Sequence, residues 1–168
     1  MATEAWLSGP IAGVLPELQP AAHMLTQSAR ELEAAIATLS PAELWARPGG
    51  AASVGFHLRH IAGSTDRLLT YARGQALSDA QRAALAAETA EGRSDVNELW
   101  ADTRAAIERA LDALRSADRN TLFEHRAVGR AQLSSTVFGL LYHVAEHTVR
   151  HTGQVIATSK AIRIKDKG

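Results

Sequence analysis

The chain has no cysteine. Disulfides, thiolate metal ligands and a cysteine nucleophile are therefore excluded. The absence suits a reducing cytoplasm. Neither sign of charge is in excess: 18 Lys and Arg stand against 18 Asp and Glu, a formal net charge of zero at pH 7. Without a basic surplus there is little to neutralise a phosphate backbone, so nucleic acid is not an expected partner. No polybasic block is present to hold the chain on an anionic membrane. No apolar run approaches the roughly 18 to 20 residues that span a bilayer. The start, Met1-Ala2-Thr3-Glu4, lacks the basic stretch and apolar core of a signal peptide. The expectation is a soluble cytoplasmic protein whose partner is a small-molecule substrate, with no nucleic acid and no membrane.

What is present favours helix. Ala, Leu, Glu and Arg dominate, and β-branched runs are scarce. The length of 168 residues fits a single domain over 1–168, and 46% apolar with 21% charged residues is ordinary for a globular protein. The first helix is expected over 16–39, with Pro16 and Pro20 in its opening turns and Leu18, Ala22, Leu25, Ala29, Leu32 and Ile36 on one face. A connecting stretch, 41–50, carries Trp45 and the turn signal Pro48-Gly49-Gly50. Ser53 caps the second helix, which ends at Gly74. Ser78 and Asp79 cap a short helix over 80–90, and Gly92 interrupts. Ser94 or Asp95 caps the third long helix, which ends near Ala117. Residues 118–133 read as irregular. Ser134 or Ser135 caps the last helix, which reaches about Lys160 before a frayed tail. Trp6, Trp45 and Trp100 read as core or interface aromatics. The pattern is all-α, a four-helix bundle with one longer crossover and a short extra helix.

Function is carried by the seven histidines, at 23, 57, 60, 125, 143, 147 and 151. His143, His147 and His151 fall at intervals of four on the last helix, so their side chains stack on one face. Two imidazoles one turn apart can converge on one ion. Three cannot, because eight residues span about 12 Å of helix. One pair must serve. His147 and His151 precede Gly153-Gln154, where a missing side chain would let another group approach. The second helix offers His57 or His60 as a third ligand, and spacing leans to His60, in phase with Ile61 and Leu68. The plainer alternatives are a solvated stripe on the last helix and hydrogen-bonded core histidines.

Two segments resemble a known family. Tyr142-His143-Val144-Ala145-Glu146-His147-Thr148-Val149-Arg150-His151-Thr152-Gly153-Gln154 is similar to the last-helix signature of the DinB-like superfamily, of the His-x-x-x-His-x-Gly-Gln type. Phe56-His57-Leu58-Arg59-His60-Ile61-Ala62-Gly63-Ser64-Thr65-Asp66-Arg67-Leu68-Leu69 is similar to its second-helix signature, a His followed six residues later by an acid. The resemblance implies an up-down-down-up bundle, often dimeric, with a metal bound by three histidines. Carried to this chain, the metal ligands are His60, His147 and His151. His57 and His143 then fall outside the triad, and replacing either is expected to leave metal content unchanged. Asp66 matches the family's acidic position and is the catalytic candidate. Glu146 is offset by one residue from the position where many relatives carry their acid, and reads as solvated. Gln154 matches a family position and reads as hydrogen-bonding near the site or as a surface amide.

Three imidazoles leave a fourth position open, which suits a catalytic metal. Zinc or nickel is expected first, with iron or copper also compatible. In the leading reading a low-molecular-weight thiol binds the metal and is transferred to an electrophile, as the resemblance to thiol S-transferases implies. In the second a metal-activated water hydrolyses the substrate, with Asp66 orienting a ligand histidine or accepting a proton. The third is a metal-binding stress protein without turnover.

Overall fold

The computed structural model describes residues 3–90 and 95–165. Pro16–Leu18 forms a 3₁₀ turn that runs into helix α1, Gln19–Ile36. Helix α2, Pro41–Trp45, occupies part of the expected connecting stretch, because Ser40 and Glu43 close a capping box around its first turn. Helix α3, Val54–Ala72, starts where Ser53 accepts a bond from the Phe56 N–H. It is followed by Gly74 at φ 72°, the left-handed conformation that glycine tolerates best. Helix α4, Asp79–Ala87, is capped by Ser78 and Gln81. Asp95 caps helix α5, Val96–Arg115. The expected break at Gly92, the alternative cap Ser94 and residues 166–168 of the tail lie outside the described residues.

The next stretch departs from expectation. Residues 118–133 are not simply irregular, since an antiparallel hairpin pairs β1, His125–Val128, with β2, Leu133–Thr136. Ser134 and Ser135 lie in β2, so neither caps the last helix. Helix α6, Val137–Lys165, begins after them, and the Thr136 hydroxyl accepts from the Gly139 N–H at 3.0 Å. Thr136 is thus both the last paired strand residue and the group that satisfies an opening amide.

The four long helices bury one contiguous core. Leu25 and Leu32 of α1, Leu58 and Ile61 of α3, Ile107 and Leu114 of α5, and Val144 and Val155 of α6 are all fully buried or nearly so. Trp45 and Trp100 pack against this core. Trp6, expected in the core or at an interface, lies outside the core, exposed, and gives its indole N–H to Glu4.

Contacts along the helices set their directions. His57 pairs with His151, and His60 with His147, so α3 and α6 are antiparallel. Arg163, near the end of α6, bonds Ala35 O and Thr38 near the end of α1, so these two are parallel. Arg119, just past α5, pairs with Glu17 just before α1, so these are antiparallel. The order is therefore up-down-down-up. Helices α3 and α5 run side by side in the same direction, and the chain must travel back the length of α3 between them. Helix α4 lies on that return. No helix of the described residues is long and apolar enough to cross a membrane.

One close approach fixes the turn before α3. A Cβ on Gly55 would fall 2.9 Å from the Trp45 ring. Gly55→Ala should overpack this contact and cost about 1–3 kcal/mol. A lower melting temperature is expected, and an unchanged one would mean that Trp45 is free to move.

Candidate metal centre

Helices α3 and α6 bring His60, His147 and His151 together. One ring nitrogen from each lies within 4.8 Å of the others. The ring centroids are 4.5 Å apart for His147 and His151, 4.6 Å for His60 and His151, and 5.0 Å for His60 and His147. The intervals of the two sequences explain this. His147 and His151 share a face of α6, one turn apart, and the antiparallel α3 presents His60 opposite them.

Each ring is held through its other nitrogen. His60 Nδ1–H donates to Glu88 Oε2 at 2.7 Å, and Glu88 Oε1 accepts from Arg67 at 2.5 Å. Ser64 Oγ donates to the Ile61 carbonyl at 3.2 Å and lies 3.3 Å from His147 Nδ1, which is set to donate to it. His151 Nδ1 lies 2.9 Å from His57 Nδ1. With these bonds made, His60 and His147 turn bare Nε2 lone pairs toward each other at 3.4 Å. Two facing lone pairs repel unless a cation or a proton sits between them. Two nitrogens bound tetrahedrally to zinc at about 2.0–2.1 Å would stand about 3.4 Å apart. Donor type, tautomer and spacing all fit a three-imidazole metal site.

Burial keeps the His147 and His151 rings neutral. Desolvation, followed by the neighbouring His60, His143 and Arg150, holds His147 down at about 4, with Glu146 opposing. Desolvation, then His147, His60, His57 and Arg150, holds His151 down at about 3. Desolvation and His60 also lower His57. Neutral imidazole is the form that binds metal.

Several expected residues stand elsewhere. Asp66 does not meet a triad histidine through any bond in the described structure. It accepts from Gln81 Nε2 at 2.6 Å, and it lines a cavity of about 680 Å³ with Arg73, Arg109 and Arg126, none of the triad being in its wall. The reason is helical phase: six residues is well short of two full turns, so Asp66 leaves the His60 face. The carboxylate that orients His60 is Glu88. His57 lies outside the triad, but it supports the triad through His151. His143 is exposed, edge-on to His147 at 5.5 Å between centroids, and held by Glu146 at 3.1 Å. Glu146 also pairs with Arg150. Gln154 is exposed, and among the described residues nothing lies within 4 Å of a Cβ built on Gly153, so none of them approaches α6 there.

Sequence reading missed Glu88, Ser64, Arg67 and Gly63. Three of these were open to it. His60, Ser64 and Arg67 follow the i, i+4, i+7 spacing of one helical face, and Gly63 adjoins it. A Cβ on Gly63 would fall 2.5 Å from Glu88 Oε1 and 2.9 Å from Arg67 NH1, so only glycine leaves room for the clamp. Glu88 carried no signal of its own.

An up-down-down-up bundle in which three histidines converge between α3 and α6 is a helical bundle with a cluster that could hold a metal ion. The sequence model of the DinB superfamily matches residues 24–155, and the chain belongs to that superfamily. No curated protein matches it by sequence. Among solved structures it is similar to YfiT from Bacillus subtilis, described as a probable metal-dependent hydrolase with an unusual four-helix bundle topology. The two share 14% identity over 95% of this chain and 97% of YfiT, with a TM-score of 0.67. At that identity the likeness establishes the fold.

The lowered histidines set a pH dependence for the metal-free chain. A histidine whose folded value is depressed stabilises the fold fully above its unfolded value of about 6.5. That stability is lost as pH falls from there toward about 4 for His147 and about 3 for His151. The melting temperature should therefore drop on acidification from pH 7 to 4, and His151→Gln should flatten the slope. Equal slopes for the two proteins would contradict the burial argument.

Proposed function

We propose that His60, His147 and His151 hold one divalent metal ion and that the chain is a metal-dependent enzyme acting on a small molecule. The observation that carries this reading is the 3.4 Å approach of His60 Nε2 and His147 Nε2, with His151 beside them and Nδ1 of each ring engaged elsewhere. Zinc or nickel suits the three imidazoles best, and iron or copper also fits. A metal with three protein ligands supplies Lewis acidity and lowers the pKa of a water or thiol that joins it. Glu88, Ser64 and His57 hold the rings in one tautomer and orientation, so little reorganisation is needed when the ion arrives.

Hydrolysis is the reading that needs only water beyond the metal, and YfiT is described as a probable metal-dependent hydrolase. Thiol transfer is the second reading. The chain has no cysteine, so its low-molecular-weight thiol would come from solution, and the family resemblance supports it. Assembly as a homodimer belongs to the same proposal and rests on the resemblance, and a cytoplasmic location rests on the cysteine-free sequence.

Replacing His60, His147 or His151 singly by Ala should abolish stoichiometric metal by elemental analysis, while His143→Ala should retain it. His57→Ala should bind metal about 10–100-fold more weakly, the range for loss of a group supporting a ligand. Undiminished metal in His147→Ala would overturn the assignment. Metal-loaded protein should turn over activated esters or amides without thiol if it is a hydrolase. If turnover needs a low-molecular-weight thiol, the transfer reading holds. Metal binding with neither activity leaves a non-catalytic metal protein.

A further inference from the structure

Helix α4 is unusual in what attaches it. None of its residues is buried, and all but Gln81 are exposed. Apolar burial, which holds the four long helices, contributes little here. Polar bonds to α3 hold it instead, at both ends. At the first turn, Gln81 Nε2 donates to Asp66 Oδ2 at 2.6 Å and lies 2.8 Å from Thr70 Oγ1. The same amide's oxygen accepts from Ser78 N at 2.9 Å, so one side chain caps α4 and fastens it. At the far end, Arg59 NH1 donates to the carbonyls of Ala87 and Ala90. Between these, Glu88 follows the last residue of α4 and inserts its carboxylate, with only 4% of the residue exposed, against His60 and Arg67.

The buried carboxylate is the only deeply inserted group of this segment among the described residues, and it ends on a candidate metal ligand. Leaving it buried without both partners would carry the cost of an uncompensated charge. Arg67 is itself 9% exposed, and Gly63 provides the notch that lets the pair close. The clamp is thus built from α3 on one side and a peripheral segment on the other.

We infer that Glu88 is a positioning residue for His60, delivered by α4, and that docking of α4 on α3 and binding of the metal at His60, His147 and His151 stabilise each other. The inference rests on the metal reading above. Its physical content is tautomer control. Glu88 fixes the proton of His60 on Nδ1 and aims Nε2 at the other two rings. With α4 undocked, His60 loses that orientation and the ion loses a prepared ligand. By linkage, an ion that favours the docked state must hold α4 down by the same free energy. Asp66 then acts at the opposite end of α4, as the acceptor that pins its first turn, and contributes to the site only through this docking.

The test is amide hydrogen exchange of the full-length wild-type protein with and without zinc, paired with zinc affinity measured by competition with a chelating dye. Zinc should slow exchange of the α4 amides severalfold. Glu88→Ala should weaken zinc binding by about 10–100-fold and remove the zinc-induced protection of α4. Glu88→Gln, whose amide oxygen still accepts from His60, should recover part of the affinity. Asp66→Ala should speed α4 exchange without zinc and weaken zinc binding in the same direction. A wild-type chain that takes up none of zinc, nickel, iron or copper overturns both the metal reading and this one; if another of these ions binds in place of zinc, the same measurements are made with that ion. Zinc uptake that leaves α4 exchange unchanged overturns the coupling alone, and this arm needs no variant. Wild-type affinity in a folded Glu88→Ala protein does the same.

Discussion

The parallel run of α3 and α5 is the constraint on which the rest depends. Parallel neighbours cannot be joined by a tight turn, so the chain must retrace the length of α3 before α5 can start. Nineteen residues of α3 amount to about 28 Å at 1.5 Å per residue. The return path carries α4 along the outside of α3, from Thr70 and Asp66 beside Gln81 to His60 beside Glu88. A simple up-down-up-down bundle would have no such segment there. The topology that needs the long connection therefore also supplies the carboxylate for His60.

The centre itself is an exercise in keeping imidazoles neutral and aimed. Three rings crowd within 5.0 Å of one another between centroids. Protonating His147 or His151 would place a cation beside the other rings in a partly desolvated wall, so burial and mutual repulsion act together. The supporting groups differ in kind: a charged carboxylate for His60, a hydroxyl for His147, another imidazole for His151. All three occupy Nδ1. That common choice leaves Nε2 of His60 and Nε2 of His147 facing each other at 3.4 Å, a spacing that fits two ligands of one ion. The glycine at 63 belongs to this design, since its missing side chain is what Glu88 and Arg67 fill.

Much of this was legible from residues alone, and the failures have local reasons. Ser53, Ser78 and Asp95 were readable as caps because a short polar side chain can satisfy a free amide wherever a helix begins. Ser134 and Ser135 misled for the same reason: their type suits a cap, but pairing with Ala127 and Arg126 placed them in a strand. A four-residue strand beside a turn carries too short a pattern to distinguish from loop. Gly153 suggested a close approach that no neighbour among the described residues makes. Asp66 was singled out by its place in a motif, and its bond to Gln81 was not legible there.

The sequence by itself determined that four helices would form, where most of them would start, and that histidines four apart on the last would share one face. These follow from 3.6-residue periodicity and from capping, which act over a few residues. It also narrowed the candidate ligands to five histidines from spacing, and to three by family resemblance. Only the tertiary structure decided which ring nitrogens point inward, because tautomer and rotation are set by partners distant in the chain. Glu88 lies 28 residues from His60, and His57 lies 94 from His151. No local pattern encodes such pairings. They exist because antiparallel α3 and α6, and the return of α4 along α3, place these atoms within hydrogen-bonding reach.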